Sequence, residues 1–253
     1  MCGFNYRRVP AVTLMHDMVA AGRIGDIRHV RAAYLQDWLA DPQAPMVWRL
    51  RKEIAGTGAI GDIAAHIVDL TQFVTGQHIT GIAALAETFV KTRPLATGDG
   101  SAEVTVDDAT AFIARMSGGA MATYEATRMA TGRRNALRVE INGTRGSLAF
   151  DLERLDELEF YDATLDGAEQ GFRRILVTEA QHPYMSAWWP PGHIIGYEHS
   201  FTHEVRDFIE AIATGTDPRP SFADALGVQR VLDAIVRSSE TNSGWLAPVA
   251  HSV

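Results

Sequence analysis

The chain has 253 residues, 46% of them hydrophobic and 21% charged, with a formal net charge of -8. Such a composition supplies a core for one large soluble domain or two small ones, and the acidic balance excludes a surface built for nucleic acid or for anionic membranes. The single cysteine, Cys2, excludes an intramolecular disulfide or a thiolate metal cluster, and no apolar run is long enough to cross a bilayer, so a cytoplasmic protein is expected.

Cys2-Gly-Phe-Asn-Tyr-Arg7 reads as a strand fragment, and a domain rarely opens mid-strand, so something upstream is expected to be lacking. Pro10 suits the first turn of a helix, Val12, Met15, Met18 and Val19 line one face of it, and Gly22 is a natural stop. Residues 27–38 read as a strand. A Pro-rich loop, Asp41-Pro-Gln-Ala-Pro45, leads to Trp48-Arg-Leu-Arg-Lys52, and residues 58–75 carry the clearest helical periodicity. After Gly76 the segments 79–90, 107–117, 120–129, 136–142, 147–151, 157–161 and 173–178 are short and rich in Val, Ile, Thr and aromatics. Ser117-Gly-Gly119 and Asn142-Gly-Thr-Arg-Gly146 separate some of them as hairpin turns, and Thr97-Gly-Asp-Gly100 reads as a loop. The C-terminal third returns to helix. Residues 200–214 align Phe201, Val205, Phe208, Ile209 and Ile212, residues 222–240 align Leu226, Val231, Leu232, Ile235 and Val236, and Ser221 with Asp224 forms a capping box. The pattern predicts one α+β domain over 1–253: an open, mainly antiparallel sheet with helices on one face. No βαβαβ alternation marks a Rossmann domain.

Gly56-Thr-Gly-Ala-Ile-Gly61 matches G-x-G-x-x-G, the fingerprint of dinucleotide-binding loops. Such a loop follows a buried parallel strand, whereas the preceding segment 47–55 carries Arg49, Arg51, Lys52 and Glu53. Asp62 would also place a carboxylate where the pyrophosphate sits, although Glu87 lies near the position of a ribose-binding acid. The glycines are better read as permitting a tight turn or a close approach.

On the following helix, Ile60, Ile63, Ile67, Leu70 and Val74 form an apolar band, and Asp62, His66 and Asp69 form a polar stripe beside it. A solvated face is the plain reading of three polar residues. The neighbours Ala64, Ala65 and Thr71 are small rather than charged, however, and an i,i+4 hydrogen bond from Asp62 would orient His66 and raise its basicity, as a general base requires. The same three residues could instead form a mixed metal site supporting lyase or isomerase chemistry. His199-x-x-x-His203-Glu204 has helical ligand spacing but reads as the polar side of an amphipathic helix.

Several stretches together resemble the C-terminal domain of the Gfo/Idh/MocA oxidoreductases: Gly3-Phe-Asn-Tyr-Arg7 with Pro10-Ala11, Gly22-Arg-Ile-Gly-Asp-Ile27, Phe208-Ile-Glu-Ala-Ile212 and, most specifically, Gly58-Ala-Ile-Gly-Asp-Ile-Ala-Ala-His-Ile-Val-Asp69. Tyr34-Leu-Gln-Asp-Trp38 and Trp48-Arg-Leu-Arg51 narrow the likeness to sugar dehydrogenases within the family. The resemblance implies an NAD- or NADP-dependent oxidation of a sugar, anhydrosugar or inositol hydroxyl. His66 then takes the hydroxyl proton, Asp62 polarises the reacting group, and Tyr6, Gln36, Trp38, Arg49 and Asp69 line the substrate pocket. It also implies that the nucleotide is held mainly by an N-terminal domain this chain lacks, that the fragment is inactive alone, and that the open sheet packs subunits into a homo-oligomer. The competing reading is a non-catalytic sugar-binding or oligomerisation module of the same descent. Tyr6 and Trp38 could equally be core residues, and Arg49 a surface cation.

Overall fold

Alternation of buried and exposed residues along the strands builds the centre of the molecule, for which a computed structural model describes residues 1–249. Eight strands form one sheet: β1 (Ile27–Leu35), β2 (Ile79–Glu87), β5 (Ala109–Met116), β6 (Met121–Thr127), β7 (Ala136–Gly143), β8 (Gly146–Asp151), β9 (Glu157–Asp162) and β10 (Phe172–Leu176). Their spatial order is β10-β9-β8-β7-β1-β6-β5-β2. Every pairing is antiparallel except that of β1 with β6, because the first strand inserts between the later hairpins. Two short strands, β3 (Thr92–Pro94) and β4 (Ser101–Glu103), form a separate hairpin in a region the sequence presents as loop.

Three helices cover one face of the sheet: α1 (Pro10–Ala20), α3 (Ala65–Thr75) and α5 (Phe222–Glu240). Their inward residues, among them Val12, Met15, Ile67, Leu70, Val231 and Ile235, are 0–1% exposed. Each such side chain contributes about 1.5–3 kcal/mol on burial. The opposite face stays open, with Ile113 and Met121 exposed beside Arg31, Thr123 and Glu125. Ser221 caps α5 in the expected box, its hydroxyl accepting from Asp224 N–H while the Asp224 carboxylate accepts from Ser221 N–H.

Two expectations are corrected. Residues 2–7 are not a strand: Asn5–Arg8 form a 3-10 turn. A strand would send these side chains to two faces, but four consecutive ones are required in different directions. Asn5 donates to Ser200, Tyr6 meets Tyr34, Arg7 pairs with Asp69, and Arg8 pairs with Asp207. Residues 47–55, whose charges argue against a buried strand, are indeed helical, as a 3-10 turn at Trp48–Leu50 followed by α2 (Lys52–Ala55).

The second concerns α4 (Glu198–Thr214), which packs with its polar side inward. Ser200, His203 and Glu204 are buried, whereas Phe201, Val205, Phe208, Ile209 and Ile212 are 40–66% exposed. The inversion follows from specific polar contacts. His203 Nδ1 bonds the Arg8 carbonyl at 2.9 Å, Trp188 Nε1 donates to His203 Nε2 at 2.7 Å, and Arg8 reaches Asp207 at 2.9 Å.

Candidate active site

The helix end of the glycine segment closes on an acid of the protein rather than on a ligand. The N–H groups of Gly58 and Ile60 both donate to the Asp107 carboxylate, at 2.6 and 2.8 Å. An anion of the protein thus already fills this helix end, and burial raises the Asp107 pKa despite those bonds. The N–H groups a dinucleotide pyrophosphate would need at this helix end are thus taken, so these residues do not fit the cofactor the fingerprint suggested. Gly58 is instead required by crowding, since a Cβ there would lie 1.7 Å from the Asp107 carbonyl oxygen and 2.5 Å from Arg128 Nη2. We expect Gly58→Ala to destabilise the fold by about 1–3 kcal/mol, read as a lower urea midpoint with unchanged slope.

The helix that follows opens with a π turn, Ile60–Ala64, before α3. The wider turn takes residues four apart out of alignment, and the expected Asp62–His66 hydrogen bond is not formed. Asp62 turns instead to Arg128, with Oδ2 3.6 Å from Nη1. Arg128 is 1% exposed, donates to the Asp107 carbonyl at 2.9 Å, and lays its guanidinium over the Trp38 ring at 5.6 Å. This arginine lies outside every sequence motif; what marks it is burial between two acids, a property of the fold.

His66 lies against the ring edges of Phe4, Tyr6 and Tyr34, at centroid distances of 5.9, 5.0 and 6.1 Å. Its Nδ1 is buried and, among the described residues, has no hydrogen-bond partner, which leaves Nε2 as the nitrogen a ligand can reach. Burial lowers its pKa from 6.5 to about 4, against the opposing pull of Asp62. The expected gain in basicity is therefore reversed, because desolvation outweighs one partly exposed carboxylate. The ring is neutral at pH 7.

That shift has a sign in stability. Between pH 6.5 and about 4 the unfolded chain binds a proton at this histidine and the folded chain does not. Stability is complete above 6.5 and falls by about 3 kcal/mol across that window, at ~1.4 kcal/mol per unit. Urea titrations at several pH values should show the loss in the native chain and a smaller one in His66→Gln.

A hydrogen-bonded wall runs from His66 outward. Tyr6 and Tyr34 share a 2.6 Å contact between hydroxyls, Tyr34 donates to Asn135 Oδ1 at 2.7 Å, Gln36 Nε2 donates to the same oxygen at 3.0 Å, and Trp38 Nε1 donates to Gln36 Oε1 at 3.1 Å. Tyr6, Gln36, Trp38 and His66 are thus brought together. Tyr34, Asn135, Arg128 and Tyr197 join them without having been singled out as site residues from sequence. Tyr197 stands edge-on to Tyr6 at 6.1 Å.

Arg49 stacks on Trp48 at 4.5 Å and faces a cleft of about 550 Å³ that also reaches Asp62 and Arg128. Asp69 is placed differently. It is 2% exposed, and both of its oxygens are taken by Arg7, at 2.8 and 2.5 Å. Its stripe position was legible, but the side chain braces the 3-10 turn that carries Tyr6.

An oxidoreductase domain protein from Kribbella flavida matches this fold with a TM-score of 0.95 and 59% identity, over 98% of this chain and 65% of that one. A structure of levoglucosan dehydrogenase in complex with NADH and levoglucosan matches with a TM-score of 0.92 and 43% identity, over 98% and 65% respectively. Levoglucosan dehydrogenase of Pseudarthrobacter phenanthrenivorans is 41% identical over 97% of this chain and 66% of its own length. The chain therefore spans about two thirds of the relatives it matches. A family model described as the GFO/IDH/MocA C-terminal domain matches residues 12–149, more than half of the chain, and the chain belongs to the GFO/IDH/MocA family.

Proposed function

We propose that this chain is the substrate-binding and catalytic half of an NAD(P)-dependent dehydrogenase that oxidises a hydroxyl of a sugar, anhydrosugar or inositol. The observation that carries the reading is His66: neutral at pH 7, walled by aromatic rings, and within the field of the Asp62–Arg128 pair. His66 accepts the hydroxyl proton and Asp62 holds the reacting group. Tyr6, Gln36 and Trp38 contact the ring of the sugar, with Arg49 at the cleft mouth. NAD or NADP supplies the hydride acceptor, held mainly by a dinucleotide-binding unit outside these 253 residues. Relatives solved with NADH, levoglucosan and L-sorbose support both the cofactor and the substrate class.

The apolar stripe of α4 supports a docked unit, since Phe201, Val205, Ile209 and Ile212 need covering. The open sheet face, with Ile113, Met121 and Leu85 exposed, is read as the surface of a homo-oligomer, and the single cysteine suits a cytoplasmic setting. Among the described residues, no helix is long and apolar enough to cross a membrane. Fusing this chain to the dinucleotide-binding unit of levoglucosan dehydrogenase and assaying levoglucosan-dependent NADH formation tests the reading. Turnover by the fusion supports it, and its absence favours a non-catalytic sugar-binding or oligomerisation module. The unfused chain is expected to show no tight NADH binding by fluorescence; tight binding would overturn the division of labour.

A further inference from the structure

One donor at the end of the wall sets the direction of every hydrogen bond in it. The indole N–H of Trp38 can only donate, so the Gln36 atom 3.1 Å away is the carbonyl oxygen. Gln36 then presents its amide nitrogen to Asn135, 3.0 Å away, and the Asn135 atom receiving it is Oδ1. The Tyr34 hydroxyl must donate to that same oxygen, at 2.7 Å. A phenol has one hydrogen, so at the 2.6 Å contact Tyr34 accepts and Tyr6 donates. Tyr6 is left with lone pairs alone.

We propose that Tyr34 and Asn135 are positioning residues that make Tyr6 an obligate hydrogen-bond acceptor, so that the subsite beside His66 selects a substrate hydroxyl and rejects a group that cannot donate. The proposal rests on the sugar-dehydrogenase reading and deepens it. Tyr6 is 4% exposed, and its buried oxygen, which also hydrogen-bonds the Tyr197 phenol, offers acceptor sites that an entering hydroxyl fills. The neighbouring phenol of Tyr197 is 45% exposed and can yield to that ligand. Asn135 immediately precedes β7 and Tyr34 lies near the end of β1, the adjacent strand, so the order is anchored where the loop meets the sheet.

Two measurements on the 253-residue chain decide it. Neutron diffraction from deuterated crystals should place the Tyr6 deuteron on the line to Tyr34 and the Tyr34 deuteron on the line to Asn135; a Tyr34 deuteron directed at Tyr6 overturns the proposal. Calorimetry compares levoglucosan with its mono-deoxyfluoro derivatives, in which fluorine replaces a hydroxyl at similar size and cannot donate. At one position the substitution should weaken binding about tenfold or more. That discrimination should survive in Asn135→Asp, which keeps the acceptor, and disappear in Tyr6→Phe and Asn135→Leu. A purely structural Asn135 would lower affinity for every derivative alike. Discrimination retained in Asn135→Leu, or absent from a native chain that binds levoglucosan, overturns the proposal. If the native chain binds none of these sugars, the functional reading falls, and the deuteron positions still decide the order of the wall.

Discussion

His66→Gln in the chain fused to a dinucleotide-binding unit should lower kcat by about 10²–10⁴-fold with little change in KM, the size expected when a positioned general base is lost. Glutamine keeps a polar amide against Phe4, Tyr6 and Tyr34, so sugar contacts persist while the proton acceptor is gone. The native kcat profile should lose activity only toward the acid side, since a ring with a pKa of about 4 is unprotonated through the neutral range. Asp62→Asn should move that acid limb to lower pH, because the Asp62 charge is what opposes the depression. Steady-state kinetics across pH for the three proteins checks both statements. A His66→Gln fusion with native kcat would remove the histidine from the chemistry.

Asp69→Ala should destabilise the fold by about 3–5 kcal/mol, because it leaves the Arg7 guanidinium buried without its carboxylate. Arg7 is 11% exposed and Asp69 2%, too little water for solvation to replace the pair. The same pair fixes the turn that carries Tyr6, so sugar affinity should fall with stability. The double variant Arg7→Met/Asp69→Leu separates the roles. If the pair is structural, removing both charges restores much of the stability and the sugar affinity with it. Were Asp69 a direct sugar ligand, affinity would stay low in the restabilised protein. Denaturant midpoints and calorimetric sugar binding on the same samples distinguish these outcomes.

The elements that came through from sequence are those decided by local pattern. Helix α5 begins and ends where its periodicity and the Ser221 box place it, and the strands of the large sheet from Ile79 to Leu176 follow their β-branched runs within a few residues. The Asp62–His66–Asp69 stripe was also legible, because helical projection needs only spacing. What spacing could not show was where each polar group finds its partner. Asp62 turned to Arg128, 66 positions away in the chain, and Asp69 to Arg7, because a π turn and a 3-10 turn changed the directions in which those side chains leave the backbone.

By itself the sequence determined the fold class and most of the order of helix and strand, since these rest on periodicity, whereas the sugar chemistry came from the family resemblance of its motifs. Only the tertiary structure decided that the glycine fingerprint is closed by Asp107 and that α4 turns its apolar stripe outward. It also decided that His66 is less basic than a free histidine and that Tyr34 and Asn135 stand between Trp38 and Tyr6. Desolvation and hydrogen-bond direction belong to groups brought together from distant parts of the chain, and no local pattern contains them.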